Sequence, residues 1–242
     1  MLRVHSIETF GTHEGPGVRF VLFLQGCKLR CLYCHNPDTQ AMTGGTMMTV
    51  DEIVEKVEKE RVYFGEKGGV TASGGEPILQ AEALGVLFET LQARGIHTAL
   101  DTNGALVIDA HIEHLLAHTN LVILDVKHLD DAKHRELTGK SNRNVLAFAD
   151  YCEKKGITMW LRHVLVPGYT DSDEHLNAWS AYFKNFKHVE RAEILPYHTL
   201  GAYKYKKLGI PYKLEGVKPP TKEQVAHAKM LLQNHLPHVY IR

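Results

Sequence analysis

Three of the four cysteines lie close together, at positions 27, 31 and 34, in the pattern Cys-x3-Cys-x2-Cys. An apolar, strand-like stretch leads directly into them. Because a short loop can fold around one inorganic centre, three thiolates at this spacing can converge on it. Three thiolates can hold three irons of a four-iron cluster and leave the fourth iron without a protein ligand. An iron left open in this way can bind a substrate.

The same three cysteines are also compatible with other kinds of site. Structural zinc with His35 as the fourth ligand is one alternative, although such sites usually draw two ligand pairs from separate loops. A disulfide is disfavoured, because nothing marks the chain as secreted and the number of clustered cysteines is odd. Cys152 lies apart, among apolar residues, and we interpret it as a buried packing residue.

Composition limits the remaining functions. Lys plus Arg and Asp plus Glu both count 28, so the net charge is zero and favours neither nucleic-acid nor anionic-membrane binding. The amino terminus has no apolar leader segment, and no apolar run is long enough for a membrane span. We therefore expect a cytoplasmic protein, in which the thiols stay reduced.

The elements that must position the cysteines alternate between apolar strands and amphipathic helices. After the loop at 26–36, strand patterns ending near residues 74, 101, 125, 165 and 195 are separated by helical patterns, and a last helix is predicted over 221–234. The stretches 38–48 and 201–220 read as irregular. Such alternation predicts a parallel sheet covered by helices, in one domain over residues 1–242. Six β/α units are too few for an eight-stranded barrel, and a doubly wound open sheet is the competing topology.

Polar or glycine residues follow nearly every predicted strand. Ligands bind at the carboxyl ends of strands in both barrels and open α/β sheets, so these positions predict a site. The alternative, that they only cap helices, explains the Asp125-Val126-Lys127 segment poorly because a cap needs no paired lysine. The candidate positions at strand ends are Gly74, Gly75, Glu76, Asp101, Asp125, Val126, Lys127 and His198.

The cysteine pattern, with an aromatic Tyr33 before the last cysteine, resembles the signature of the radical S-adenosylmethionine (SAM) superfamily. The longer pattern Gly15-x-Gly17-x-Arg19, followed by Gly26-Cys27, is similar to its activating enzymes that install glycyl radicals in partner proteins. The resemblance covers nearly the whole chain. It implies a partial (β/α)6 TIM-like barrel as the fold class.

The resemblance also implies cofactors and their ligands. Cys27, Cys31 and Cys34 would hold a [4Fe-4S] cluster. Asp101 and Asp125 could in addition hold a monovalent cation beside the SAM carboxylate. Contacts with SAM are expected from Tyr33, His35, Gly74, Gly75, Glu76, Asp101, Asp125, Val126, Lys127 and His198.

The activity implied is reductive cleavage of SAM at the cluster and abstraction of a hydrogen from a glycine Cα. Within the family, the match points to pyruvate formate-lyase as the protein substrate, to a flavodoxin-type electron donor and to a monomer. Glu14 and Arg162 are possible contacts of the substrate peptide. Glu14 stands where the family usually has Asp, which lengthens the side chain, and Arg162 could instead form a structural ion pair. The alternatives are another glycyl-radical enzyme or a small molecule as substrate, or a zinc-binding protein without enzymatic activity.

Overall fold

The computed structural model describes all 242 residues, Met1–Arg242. The strands are β1 (Leu2–Gly11), β2 (Arg19–Leu24), β3 (Thr46–Met48), β4 (Gly69–Gly74), β5 (His97–Thr102), β6 (Leu121–Asp125), β7 (Met159–Leu165), β8 (Val189–Pro196) and β9 (Val239–Ile241). The helices are α1 (Val50–Glu60), α2 (Ala81–Ala93), α3 (Ala110–Ala117), α4 (Asp131–Thr138), α5 (Arg143–Lys155), α6 (Asp173–Phe183), α7 (Ala202–Leu208) and α8 (Lys222–Gln233).

The chain divides into two compact units. The first comprises Met1–Lys28 and Thr39–Ile123, and the second comprises Leu29–Asp38 and Leu124–Arg242. The strand order is β3-β1-β2-β4-β5-β6 in the first and β6-β7-β8-β9 in the second, with β6 contributing residues to each. The prediction of a single domain over the whole chain stays a prediction.

The sheet is a partly open, mainly parallel one. β1 is antiparallel to β2 and β3, whereas the pairs β2/β4, β4/β5, β7/β8 and β8/β9 are parallel. From β2 onward, neighbouring strands follow one another in chain order, without the reversal that a doubly wound sheet requires. The mixed α/β fold with a partial (β/α)6 sheet is therefore confirmed.

The central strands of the first unit are buried on both faces, and its helices have one apolar side. All residues of β2 except Phe23 are buried, as expected for a strand covered on both faces. Thr49 begins α1 with a capping box: Glu52 N donates to Thr49 Oγ1 (3.1 Å), and Thr49 N donates to Glu52 Oε2 (2.7 Å). α1 ends at Glu60.

The second unit follows the predicted alternation, with one helix that the sequence reading missed. Gly156 ends α5 in the left-handed conformation at φ 72°, and Cys152 is fully buried in that helix, as predicted. The stretch 201–220, read as irregular, contains α7. In the first unit, the stretch 38–48 likewise contains β3.

The helices are short. The longest, α2 and α5, have 13 residues each, and no helix combines the length and hydropathy needed to cross a membrane.

Candidate active site

Cys27 follows β2 at the carboxyl end of the first unit's parallel strands. Gly26 N donates to Thr39 O (2.7 Å) and Cys27 N donates to Gln40 O (3.2 Å), so the start of the loop is tied to the chain that leaves it. Asn103, just after β5, places its side-chain Nδ2 3.8 Å from Cys27 Sγ. Asn103 was not predicted as a site residue, although it belongs to the Asp-Thr-Asn-Gly segment that ends a predicted strand.

Cys31 and Cys34 belong to the second unit. The backbone between them is fixed by Leu32 N, which donates to Leu137 O (2.9 Å), and Cys34 N donates to Cys31 O (3.2 Å) within a turn. The Tyr205 hydroxyl donates to Cys34 O at 3.0 Å. All four cysteines are free thiols, and the three of the motif are half-buried, whereas Cys152 is buried. Half-buried free thiols on a short loop are the donor set that an iron–sulfur cluster requires.

The glycine turn after β4 lies close to the cysteine loop in the first unit. Glu76 N donates to Gly26 O (2.7 Å), and a Cβ on Gly75 would lie 2.2 Å from the same oxygen. Gly74 has φ 106°, a conformation that favours glycine. No side chain fits at Gly75 without moving the loop, so the close approach of the turn to Gly26 requires glycine at this position.

Glu76 uses its own side chain to hold two strand ends together. It is 2% exposed, and its carboxylate accepts from Thr102 Oγ1, Asn103 N and Ile78 N. Burial raises its pKa to about 7, against the opposing effect of these hydrogen bonds. The side chain therefore positions the turns after β4 and β5. The predicted contact of Glu76 with SAM stays a prediction.

Asp101, the next-to-last residue of β5, contacts a residue that was not predicted from the sequence. Ser73 Oγ, in the last part of β4, donates to Asp101 Oδ2 at 2.9 Å. Ser73 directly precedes the glycine turn, and this position was the signal that could have identified it.

Asp125 and Lys127 form an ion pair in the second unit, beside Tyr33. Lys127 Nζ is 3.0 Å from Asp125 Oδ2 and 5.5 Å from the centroid of the Tyr33 ring. Burial by itself lowers the pKa of Lys127, but the neighbouring negative groups, Asp125 first, outweigh it and raise that pKa. Lys127 is therefore a fixed positive charge that holds Asp125 in place.

Two buried polar atoms of this group have no partner. Asp125 Oδ1 and the Tyr33 hydroxyl are both buried without a hydrogen bond. Because an unpaired buried polar atom is costly, such atoms indicate a ligand that would satisfy them. Burial also raises the pKa of Tyr33, so its hydroxyl is a neutral donor. Val126, between the two charged residues, is buried and donates its N–H to Arg162 O (3.2 Å).

His35 and His198 contact each other directly. Their rings stack with centroids 4.1 Å apart, and His35 Nε2 donates to His198 O at 3.2 Å. Burial first, then the neighbouring His198, lowers the pKa of His35, so the ring is kept neutral and offers a flat face. Gly201 packs against His35, and a Cβ there would lie 2.9 Å from His35 Cα. This pairing satisfies one ring nitrogen of His35, the residue considered as a fourth zinc ligand.

Arg162 is part of a buried ion-pair network. Its Nε donates to Glu193 Oε2 at 3.0 Å, and Glu193, which is fully buried, also accepts from Arg191 Nη2 (2.7 Å) and Arg242 Nη2 (2.9 Å). The structural ion pair considered for Arg162 is therefore present. A contact of Arg162 with the substrate peptide stays a prediction.

Glu14 lies in the glycine-rich loop before β2. Its Oε2 accepts from His13 N (3.1 Å), and its backbone oxygen accepts from Thr71 Oγ1 (2.6 Å). Arg19, fully buried, donates from Nε to the same Thr71 side chain (2.9 Å). The loop that carries Glu14 is thus held by the arginine of the same sequence motif.

The residues of each unit suit the groups that the sequence resemblance implies. The three half-buried thiols match an iron–sulfur cluster in donor chemistry. The first unit offers the Gly74–Gly75 backbone and Asp101, and the second offers the unpartnered atoms of Asp125 and Tyr33 with the stacked histidines. These are polar and flat surfaces of the kind that an amino acid and an adenine base require.

Comparison with known proteins gives a class and a family. The model of the radical SAM superfamily matches residues 21–179. Pyruvate formate-lyase-activating enzymes from Streptococcus mutans and Staphylococcus epidermidis are 47% and 48% identical to the chain, over 95% and 93% of it and 90% and 92% of those proteins. The pyruvate formate-lyase 1-activating enzyme of Escherichia coli is 45% identical, over 96% of both chains.

Solved structures agree on the fold. A domain of a pyruvate-formate lyase-activating enzyme from Bacteroides vulgatus matches with a TM-score of 0.61 at 21% identity, over 72% of this chain and 99% of that one. Streptococcus suis SuiB, bound to precursor peptide SuiA, matches with a TM-score of 0.69 at 17% identity, over 98% of this chain and 50% of that one. The chain therefore belongs to the radical SAM superfamily and, within it, to the family of pyruvate formate-lyase-activating enzymes.

Proposed function

We propose that this protein activates pyruvate formate-lyase by generating a glycyl radical on it. The observation that carries the proposal is 45–48% identity to named activating enzymes over more than nine-tenths of the chain, with the cysteine loop intact. The match extends over more than nine-tenths of the chain and at least 90% of each of these relatives. It supports a shared reaction and a shared protein substrate.

The [4Fe-4S] cluster and SAM, when bound, supply an electron-driven cleavage of SAM that yields methionine and a radical able to remove hydrogen from a glycine Cα. Cys27, Cys31 and Cys34 bind the cluster as thiolates. The protein's other residues bind and orient the substrates and exclude water; none of them needs to act as a general base.

The remaining site residues divide the binding of SAM by chemistry. The backbone carbonyl oxygens of Gly74 and Gly75 and the Asp101 carboxylate accept hydrogen bonds from the amino group of SAM. Lys127 fixes Asp125, whose free Oδ1 accepts from a hydroxyl or an ammonium group. His35 and His198 offer stacked, neutral rings against the base, with Tyr33 beside them. A monovalent cation next to the SAM carboxylate would bind through Asp101 or Asp125.

The partners follow from the same proposal. Glu14 and Arg162 contact the peptide that carries the glycine, and the segment 201–220 helps to receive it. A flavodoxin-type protein donates the electron, and the enzyme works as a monomer in the cytoplasm.

The first test is anaerobic EPR of the iron-reconstituted, dithionite-reduced protein with and without SAM. We expect a reduced four-iron signal whose shape changes when SAM is added, because SAM binds the open iron. Cys34→Ser should lose the signal. The matched control, Cys152→Ser, should keep it, since Cys152 is buried in α5 and burial raises its pKa to about 12.

The second test is formation of a glycyl radical on purified pyruvate formate-lyase after addition of SAM and a reductant. A SAM-responsive cluster without a glycyl radical would refute pyruvate formate-lyase as the substrate and favour another glycyl-radical enzyme or a small molecule. A colourless protein that contains zinc and ignores SAM would refute the enzymatic function altogether.

A further inference from the structure

A second group of possible metal ligands lies on the helical layer of the first unit. Glu89 of α2 and His114 and His118 of α3 each place one ligand atom within 4.8 Å of the other two. Glu89 is exposed and both histidines are half-buried. None of the three follows a strand, and none belongs to the cysteine loop or to the predicted contacts of SAM.

The spacing of the histidines suits a metal ion. Two histidines four residues apart on a helix project from the same face, as in known zinc-binding helices. His118 directly follows the last residue of α3, and its backbone N–H donates to Leu115 O and Leu116 O in the final turn. Their rings are in edge-on contact, with centroids 5.0 Å apart.

Two of the three candidate ligand atoms already lie at the separation that a metal ion requires. His114 Nε2 lies 3.2 Å from Glu89 Oε2. Zinc binds such nitrogen and oxygen atoms at about 2.0–2.2 Å, which places two ligands of a tetrahedron about 3.4 Å apart. No two of the three ligand atoms are more than 4.8 Å apart. Because the three side chains are partly exposed, small rotations can bring these atoms to the distance that zinc requires.

The His114 ring is oriented by a glycine. A Cβ on Gly85, in the interior of α2, would lie 2.6 Å from His114 Nδ1. Glycine is less favourable than alanine inside a helix, so its presence here needs a reason. The close approach of the ring to α2 supplies it, and this approach leaves the opposite nitrogen, Nε2, facing Glu89.

The His118 ring has a hydrogen-bond partner of the kind that metal-binding histidines use. His118 Nδ1 is 3.3 Å from Gln92 Oε1, and an amide oxygen can only accept, so Nδ1 carries the proton. The lone pair of His118 is then on Nε2. Such a bond from the non-ligating nitrogen fixes the tautomer and ring orientation in metal sites.

We propose that Glu89, His114 and His118 bind a divalent transition-metal ion, zinc in the first place, and thereby link α2 to α3. Two imidazoles and one carboxylate suit zinc better than magnesium or calcium, which prefer oxygen ligands alone. Water completes the tetrahedron. The site is independent of the cluster and of the proposed reaction.

The experiment is titration of zinc chloride into the cluster-loaded protein by anaerobic calorimetry, with the visible absorbance of the cluster followed in parallel. We expect one zinc to bind while the cluster absorbance stays constant. His118→Gln and His114→Gln should each weaken this binding by about tenfold or more. The matched control is His111→Gln, an exposed histidine of the same helix that does not belong to the group of three ligands, which should bind zinc like the unchanged protein.

A thermal measurement separates binding from a folding defect. Zinc should raise the melting temperature of the unchanged protein and of the His111→Gln variant but not that of His118→Gln, because only a ligand of the folded state stabilises it. Equal zinc affinity in His118→Gln and His111→Gln would overturn the proposal. Loss of cluster absorbance in proportion to added zinc would also overturn it, by assigning the ion to the cysteines.

Discussion

Glu193→Gln is expected to destabilise the protein far more than any exposed glutamate substitution. Glu193 has no exposed surface, and its carboxylate receives hydrogen bonds from Arg162, Arg191 and Arg242. Arg162 is itself 8% exposed. Glutamine keeps one acceptor oxygen but removes the negative charge, so the arginine side chains lose their counter-charge in a buried place.

The size of the effect follows from that burial. Breaking a buried ion pair by removing one partner costs about 3–5 kcal/mol, because the other charge is left uncompensated. The retained amide oxygen places Glu193→Gln at the lower end, about 3 kcal/mol. For a protein of this length, each 1 kcal/mol shifts the melting temperature by about 2–4 °C, so a decrease of about 6–12 °C is expected.

The assay is calorimetric melting of the anaerobic protein beside two reference variants. Glu190→Gln is the matched control on β8: the Glu190 side chain is exposed and accepts from Trp160 Nε1 at 2.8 Å, a bond that glutamine can keep. It should cost less than about 1 kcal/mol. Arg242→Ala should fall between the two, because the Arg242 side chain is 22% exposed.

A double variant tests whether the uncompensated charge of Arg162 causes the loss of stability. If the loss arises from an uncompensated Arg162, then Arg162→Met in the Glu193→Gln background should recover part of it. A melting temperature of Glu193→Gln equal to that of Glu190→Gln, or no recovery in the double variant, would refute this account of the network.

Three further changes test the site and the core. Gly75→Ala should sharply reduce cluster and SAM binding, measured as iron content and by calorimetry, since its Cβ would lie 2.2 Å from Gly26 O; normal loading would contradict the close approach. Asp125→Asn should weaken SAM binding by about tenfold or more, about 1.4 kcal/mol, because Lys127 loses its partner; an unchanged affinity would remove Asp125 from the site. His175 is buried, and burial lowers its pKa to about 2, so the folded state leaves it neutral while the unfolded chain takes up a proton below about pH 6.5. The unchanged protein should therefore lose about 2 kcal/mol more stability than His175→Gln between pH 7 and pH 5, measured by urea unfolding; parallel pH profiles would show that His175 is protonated in the folded state.

Local features could be read from the sequence because their physics is local. The capping box at Thr49, the left-handed Gly156 and the buried Cys152 depend on residues within one or two turns. The fold class followed from the alternation of apolar strands with amphipathic helices. Two short elements were not predicted from the sequence. β3 has three residues, none of them buried, and α7 buries a single side chain, Tyr205. Neither element therefore produces a periodic apolar pattern.

The candidate site likewise contains residues that could be predicted from the sequence and residues that could not. The cysteine loop, the glycine turn and the Asp125–Lys127 pair could be predicted because each lies within a few residues at one strand end. Ser73 and Asn103 were missed, since single polar residues beside a motif look like ordinary turn residues until a partner is known.

The sequence by itself determined the chemistry, because three thiols on one short loop restrict the possible centres and a pattern of more than twenty residues points to a family. Only the tertiary structure decided which distant groups meet: His35 with His198, Arg162 with Glu193, and His114 with Glu89. The reason is physical. Such pairs depend on strand register, helix packing and close approach at a glycine, and these are set by the packing of the whole core rather than by any short segment.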